Sequence, residues 1–158
     1  FHYRVDLAHF DDADFAAYEG VNRRFGRLLA QFTRPDDVVW IHDYHFLLMG
    51  QELRASGWDG RMGFFLHIPF PPPEVFTALP QHQRLARGLC AFDLVGFQTA
   101  RDTANFRRYL VEQCDAIPHE DGTLRVFDRI VATDTFAIGV DPDDIAALAG
   151  SEEGRSAA

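Results

Sequence analysis

Lysine is absent from this chain of 158 residues, so all 15 of its basic residues are arginine. The absence excludes a Schiff-base lysine and a phosphate-loop lysine within the chain. Cysteine is scarce as well: Cys90 and Cys114 are too few for a disulfide framework and are typical of free thiols in a reducing compartment. We therefore expect a cytoplasmic protein that contacts anions through arginine or backbone N–H groups.

The chain also has fewer basic than acidic residues, and its apolar runs are short. The 24 acidic and 15 basic residues give a formal net charge of −9, which argues against nucleic acid or an anionic membrane as a partner. The longest apolar stretch, Met62 to Phe70, falls short of the ~20 residues that a membrane span needs. With 47% hydrophobic residues, the chain can form a packed core, and its length fits one domain.

The hydrophobic pattern alternates between amphipathic helices and short buried strands. It predicts helices over 11–32, 44–56, 80–91 and about 99–113, and strands over 38–42, 63–67 and 94–97, with one or two more strands over 126–138. Prolines between 68 and 73 predict a rigid loop, residues 115–123 a polar loop or turn, and residues 151–158 a disordered tail. The alternation indicates an α/β fold with a parallel sheet and helices on both faces.

Asp43 follows the first predicted strand, in the run His-Asp-Tyr-His at 42–45. Ligands of parallel sheets bind beyond the carboxyl ends of the strands, and a carboxylate can accept hydrogen bonds from two sugar hydroxyl groups at once. Two other interpretations stay open. Asp43 can instead cap the next helix, or bind a metal with a histidine. The metal site is disfavoured because His42 and Asp43 are adjacent on a strand and point to opposite faces.

His67 closes the second predicted strand and precedes the proline-rich loop. A stiff loop holds the imidazole with little entropy to lose on binding, and its N–H can donate to a sugar hydroxyl or to developing charge. The alternative is a structural histidine at the end of an apolar strand. Because Asp43 and His67 end neighbouring predicted strands, they can face one crevice.

Three motifs in this order resemble the trehalose-6-phosphate synthase family. They are WIHDYH at 40–45 with Glu52-Leu53-Arg54 after it, GFFLHIPFP at 63–71, and DLVGFQT at 93–99. The opening FHYR at 1–4 and the closing IGVDP at 138–142 are similar to the same family. The resemblance runs from residue 1 to about 150, and the motifs together are specific to the family where each alone is not.

The resemblance implies a retaining glycosyltransferase of the GT-B architecture, with two facing Rossmann-like domains. Such enzymes move glucose from UDP-glucose, or a related nucleotide sugar, to glucose 6-phosphate and form trehalose 6-phosphate, without a metal or another cofactor. By motif match, Asp43 holds the acceptor glucose 6-phosphate, and His67 is the catalytic histidine beside the donor glucose. Ile68 helps to shape the pocket that selects the α anomer.

The extent of the resemblance makes residues 1–150 the later part of the N-terminal, acceptor-side domain. Regions of the family that grip both substrates lie outside it, so we expect the isolated fragment to be inactive. A non-catalytic regulatory or sugar-sensing relative of the same fold stays open, as does a glycosyltransferase of this architecture with another acceptor. The donor nucleotide, UDP or GDP, stays open too, and the full-length protein is a candidate homo-oligomer.

Overall fold

The computed structural model describes residues 8–139 and 141–151. Helices and strands alternate along most of this range. In chain order they are α1 (Asp12–Leu29), β1 (Val38–His42), α2 (Met49–Ala55), β2 (Arg61–Leu66), α3 (Pro73–Phe76), α4 (His82–Leu89), β3 (Leu94–Phe97), α5 (Ala100–Cys114), β4 (Ile117–Pro118), β5 (Leu124–Val126), β6 (Arg129–Thr135) and α6 (Pro142–Gly150). The predicted disordered tail lies outside the described residues, apart from Ser151.

The strands form one sheet in the order β1-β2-β3-β6-β5-β4. β1, β2, β3 and β6 are parallel, which confirms the predicted α/β fold with a Rossmann-like parallel sheet. β5 and β4 extend it in the antiparallel direction. The prediction of a polar loop or turn over 115–123 is therefore wrong only at the two residues of β4. Asp115 and Gly122 turn the chain there with φ of 55° and 84°, and these turns let β4 fold back onto β5.

Side-chain caps define the starts of α1 and α5, close to the helix starts that the sequence predicts. The carboxylate of Asp11 accepts hydrogen bonds from the N–H groups of Ala13 and Asp14 at the start of α1. The hydroxyl of Thr99 accepts from the N–H of Asp102 at the start of α5. Oxygen acceptors at these positions satisfy N–H groups that have no partner within the helix.

The helix predicted over 44–56 is wrong in its first turn. Residues Tyr44–Phe46 form a 3₁₀ turn, and α2 begins only at Met49. The reason is tertiary, because side chains of α1 bind the backbone of residues 44–48 and take the place of regular helical hydrogen bonds. The segment after β1 is therefore shaped by α1 rather than by its own helix propensity.

The hydrophobic core lies on one face of the sheet. Alternate residues such as Val39 and Ile41 of β1 point into it and pack with side chains of α2, α4 and α5. The other face of β1 leaves Val38 and Trp40 exposed, at 68% and 64%. Within the described residues, the expectation of helices on both faces is thus met on one face only. No helix of this part of the chain combines the length and the apolar character needed to cross a membrane.

Candidate functional site

Asp43 and His67 lie at the same edge of the sheet. β1 and β2 are parallel neighbours, and their register pairs His42 with Phe65. Asp43 follows the last residue of β1, and His67 follows Leu66, the last residue of β2. The prediction that the two residues end neighbouring strands is confirmed. Their backbones stand at the carboxyl edge, where parallel sheets bind ligands.

Asp43 has a strained backbone and a buried carboxylate oxygen. Its φ of 67° and ψ of 167° fall in a region that residues with a Cβ rarely adopt, at a cost of about 1–3 kcal/mol. Its Oδ1 is buried and has no hydrogen-bond partner among the described residues. A buried acceptor without a partner is costly, and such costs concentrate at binding sites.

The interpretation of Asp43 as a helix cap is wrong. Its carboxylate accepts no capping hydrogen bond from the 3₁₀ turn that follows. Only its backbone takes part, because the N–H of Phe46 donates to the carbonyl oxygen of Asp43 over 3.2 Å. The carboxylate is therefore left for another partner.

Tyr18 of α1 holds the segment after Asp43 through its hydroxyl group. The hydroxyl donates to the carbonyl oxygen of Tyr44 over 2.8 Å and accepts from the N–H of Leu47 over 3.1 Å. Burial raises the pKa of Tyr18 to about 12, so the hydroxyl keeps its proton and its donor role at neutral pH. The sequence placed Tyr18 on the apolar side of a helix and gave no sign of this role.

Asn22, one turn further along α1, binds the same segment and is fully buried. Its Nδ2 donates to the carbonyl oxygen of His45 over 3.1 Å, and its Oδ1 accepts from the N–H of Leu48 over 3.2 Å. A buried amide needs partners of this kind. The signal in the sequence was an asparagine within the apolar stripe of a predicted helix, and it was missed as a functional clue.

The imidazole of His67 pairs with the imidazole of His42. The Nε2 atom of His67 lies 2.9 Å from the Nδ1 atom of His42, and the two ring planes differ by 28°. Phe65 contacts the His67 ring edge-on, with 4.8 Å between ring centroids. The sequence gives no sign that His42 and His67 pair, because the two histidines are 25 positions apart.

The proline-rich loop that begins at Ile68 is fastened to α5. The N–H of Phe70 donates to Oδ1 of Asp102 over 3.1 Å, and Nδ2 of Asn105 donates to the carbonyl oxygen of Phe70 over 3.0 Å. Asp102 is 5% exposed and also accepts from the Thr99 hydroxyl over 2.6 Å. Ile68 is half-buried and packs against the core. The loop after His67 is thus held by hydrogen bonds to α5 as well as by its prolines.

The described residues contain no group of three or more His, Cys, Asp and Glu side chains that could hold a metal ion. What the carboxyl edge does offer is a carboxylate acceptor at Asp43 and an imidazole pair at His67 and His42. Acceptors and donors in this mixture suit a ligand that carries many hydroxyl groups.

Comparison with known proteins assigns the class. The model of glycosyltransferase family 20 matches residues 1–156, and the chain belongs to this family. Trehalose-6-phosphate synthases are among its relatives. The enzyme of Enterobacter sp. (strain 638) is 42% identical over 147 residues, which are 93% of this chain and 31% of the relative.

Solved structures agree in fold. The UDP-forming alpha,alpha-trehalose-phosphate synthase of Burkholderia xenovorans in complex with glucose-6-phosphate has a TM-score of 0.88 and 44% identity, over 99% of this chain and 36% of that one. A trehalose-6-phosphate structure from E. coli bound with UDP-2-fluoro glucose has a TM-score of 0.90 and 39% identity, over 96% and 34%. The chain thus spans about a third of the length of the relatives that it matches.

Proposed function

We propose that this chain is part of a retaining glycosyltransferase that moves glucose from UDP-glucose, or a related nucleotide sugar, to glucose 6-phosphate and forms trehalose 6-phosphate. Residues 1–150 would be the later part of its acceptor-side domain. The observation that carries the proposal is the placement of Asp43 and His67 after neighbouring parallel strands, in a chain of this family. The similar structures with glucose-6-phosphate and with UDP-2-fluoro glucose support both substrates.

In this proposal Asp43 binds the acceptor. Its buried Oδ1 has no partner among the described residues and accepts a hydrogen bond from a hydroxyl of glucose 6-phosphate. The strained backbone and the bonds from α1 to residues 44–48 fix where this oxygen stands. Asp43 therefore orients the attacking hydroxyl rather than removing its proton.

His67 and Ile68 act on the donor side. The imidazole of His67 donates a hydrogen bond to the donor glucose, and Ile68 helps to shape the pocket that selects the α anomer. The bond between the anomeric carbon and the leaving phosphate oxygen breaks as the bond to the acceptor oxygen forms on the same face. The acceptor proton passes to the leaving phosphate. Such a route depends on positioning and charge stabilisation and needs no side-chain base.

The state of the two cysteines bears on the compartment in which the protein works. Cys90 and Cys114 are both free thiols, which supports a reducing compartment. We place the protein in the cytoplasm on this basis.

The test compares the isolated chain with a chimera in which it replaces the matched third of the Enterobacter relative. Each is incubated with UDP-glucose and glucose 6-phosphate, and trehalose 6-phosphate is measured. We expect product from the chimera and none from the isolated chain, because the isolated chain spans only about a third of the length of the relatives that it matches. Binding of both sugars without turnover in the chimera would favour a non-catalytic sugar-sensing relative. Product with another acceptor only would favour a different glycosyltransferase.

Asp43→Asn in the chimera tests the acceptor site, because it keeps the shape and removes the charge. We expect KM for glucose 6-phosphate to rise by about tenfold or more, which corresponds to the loss of one charged hydrogen bond. Asp115→Asn is the matched control, since Asp115 also has a positive φ but ends α5. Equal kinetics for the two variants would remove Asp43 from acceptor binding.

A further inference from the structure

We propose that His42 is a positioning residue that fixes the ring orientation and the tautomer of His67. The proposal rests on the proposed function, in which His67 donates to the sugar. It adds a residue that the motif match did not assign a role, and it states which nitrogen of His67 faces the substrate.

The geometry supports a direct action of one ring on the other. His42 pairs with Phe65 in the register of β1 and β2, and Phe65 and His67 are two residues apart, so the three side chains share one face of the sheet. The ring of His42 lies between two neighbours, with centroid distances of 4.9 Å to Trp40 and 5.2 Å to His67. Trp40 thus contacts the His42 ring on one side, and on the other side Nδ1 of His42 faces Nε2 of His67.

The backbone of His67 is held as well. Nε2 of Gln98, which lies just beyond β3, donates to the carbonyl oxygen of His67 over 3.3 Å. Gln98 thus contacts the backbone of His67, and His42 contacts its ring. Its remaining nitrogen, Nδ1, is the one that can reach a ligand.

The proton between the rings determines what that nitrogen can do. In a hydrogen bond between two imidazole nitrogens, one carries the hydrogen and the other offers a lone pair. The tautomer of a histidine follows from the hydrogen bond that its other nitrogen makes. If His67 donates to the sugar through Nδ1, its Nε2 must accept, and the donor is Nδ1–H of His42. Both rings then carry their hydrogen on Nδ1, opposite to the preference of free histidine.

The tautomer can be read in the chain itself by NMR, with ¹⁵N-labelled histidine at about pH 8.5, where ordinary imidazole groups are neutral. We expect His67 to be protonated on Nδ1. In His42→Phe, which keeps a flat ring against Trp40 and removes the donor, His67 should change to the Nε2–H form. In His42→Asn, whose amide nitrogen stands near the place of Nδ1, His67 should keep the Nδ1–H form. An Nε2–H form of His67 in the unaltered chain, or the same form in all three proteins, overturns the proposal.

The dispersion of the backbone amide signals shows whether each variant is folded. His119→Phe is the matched control, because His119 is a half-buried histidine of the β4–β5 region whose Nδ1 lies 3.3 Å from the Thr123 hydroxyl. It removes an imidazole elsewhere and should leave the signals of His67 unchanged. Should His42→Phe fail to fold, His42→Ala also removes the donor and should give the Nε2–H form of His67, and an Nδ1–H form in that variant overturns the proposal.

Kinetics of the chimera give a second readout. We expect kcat to fall about tenfold in His42→Phe with KM for glucose 6-phosphate unchanged, and to recover most of its value in His42→Asn. An unchanged kcat in His42→Phe overturns the positioning role whatever the tautomer. The proposed function has a different test: it is wrong if the unaltered chimera forms no trehalose 6-phosphate. The NMR experiment on the His42–His67 pair does not depend on that result.

Discussion

The backbone N–H of Asp43 donates to the carbonyl oxygen of Phe65 over 2.8 Å, so Asp43 stays bound to β2 after β1 has ended. This bond holds the residue in place while its φ turns to 67°. A loop free to relax would avoid such a conformation, since it costs about 1–3 kcal/mol in a residue with a Cβ. The bond to β2 and the bonds from α1 together keep the strain at the carboxyl edge of the sheet.

Asp43→Gly should separate stability from binding. Glycine adopts this backbone conformation without strain, which stabilises the folded chain. It also has more conformational freedom in the unfolded chain, which offsets about 0.5–1 kcal/mol of that stabilisation. We expect the free energy of unfolding to rise by about 1 kcal/mol in urea titrations of the chain. The chimera with the same change should lose acceptor use. A loss of stability would show that the backbone of Asp43 is unstrained or that its carboxylate stabilises the fold.

Gly96→Ala should destabilise the sheet. A Cβ at Gly96 would stand 2.9 Å from ring atoms of both Phe65 and Phe136, closer than carbon atoms approach. Moving these rings should cost about 1–3 kcal/mol in the free energy of unfolding, as overpacking does elsewhere. The matched control is Gly63→Ala, on the neighbouring strand, where the nearest atom is in the Trp40 ring at 3.6 Å. Its effect should stay within about 0.5 kcal/mol, and equal losses for the two variants would contradict the packing argument.

Tyr18 should make stability depend on pH in the alkaline range. Burial raises its pKa from 10.0 to about 12, so the folded chain holds this proton more tightly than the unfolded chain. The stabilisation is complete below pH 10 and is lost as the pH rises toward 12, and it amounts to about 2–3 kcal/mol. Urea titrations between pH 9 and pH 12 should show this fall in the unaltered chain.

Tyr18→Phe is the comparison for that experiment. It lacks the ionisable group, so its stability should fall less over the same pH range, although it should start lower because the N–H of Leu47 loses its acceptor. Parallel curves for the two proteins would mean that Tyr18 titrates alike in the folded and unfolded chains.

The sequence predicted the parts of the fold that depend on local pattern. β1 and β3 occupy the predicted ranges, and the Thr99 cap starts α5 where the sequence indicated, because strand runs and caps are encoded within a few residues. The error at 44–48 has the opposite cause. That segment is apolar enough for a helix, but the hydrogen bonds that shape it come from Tyr18 and Asn22, and no local pattern reveals them.

The candidate site was predicted in the same uneven way. The order of strands and helices was enough to place Asp43 and His67 after neighbouring strands. The strain at Asp43, its unpaired oxygen and the partnership of His67 with His42 depend on register and on side-chain contacts across the sheet. Spacing along the chain carries no record of those distances.

The segment that follows β1 and the loop that follows β2 are anchored to different helices. α1 holds the segment after β1 through Asn22, whereas α5 holds the loop after β2 through Asp102. A change that loosens one anchor leaves the other in place, so a disturbed segment after β1 need not displace the loop after β2. The imidazole rings of His42 and His67 join the two strand ends and give the two segments a point of contact.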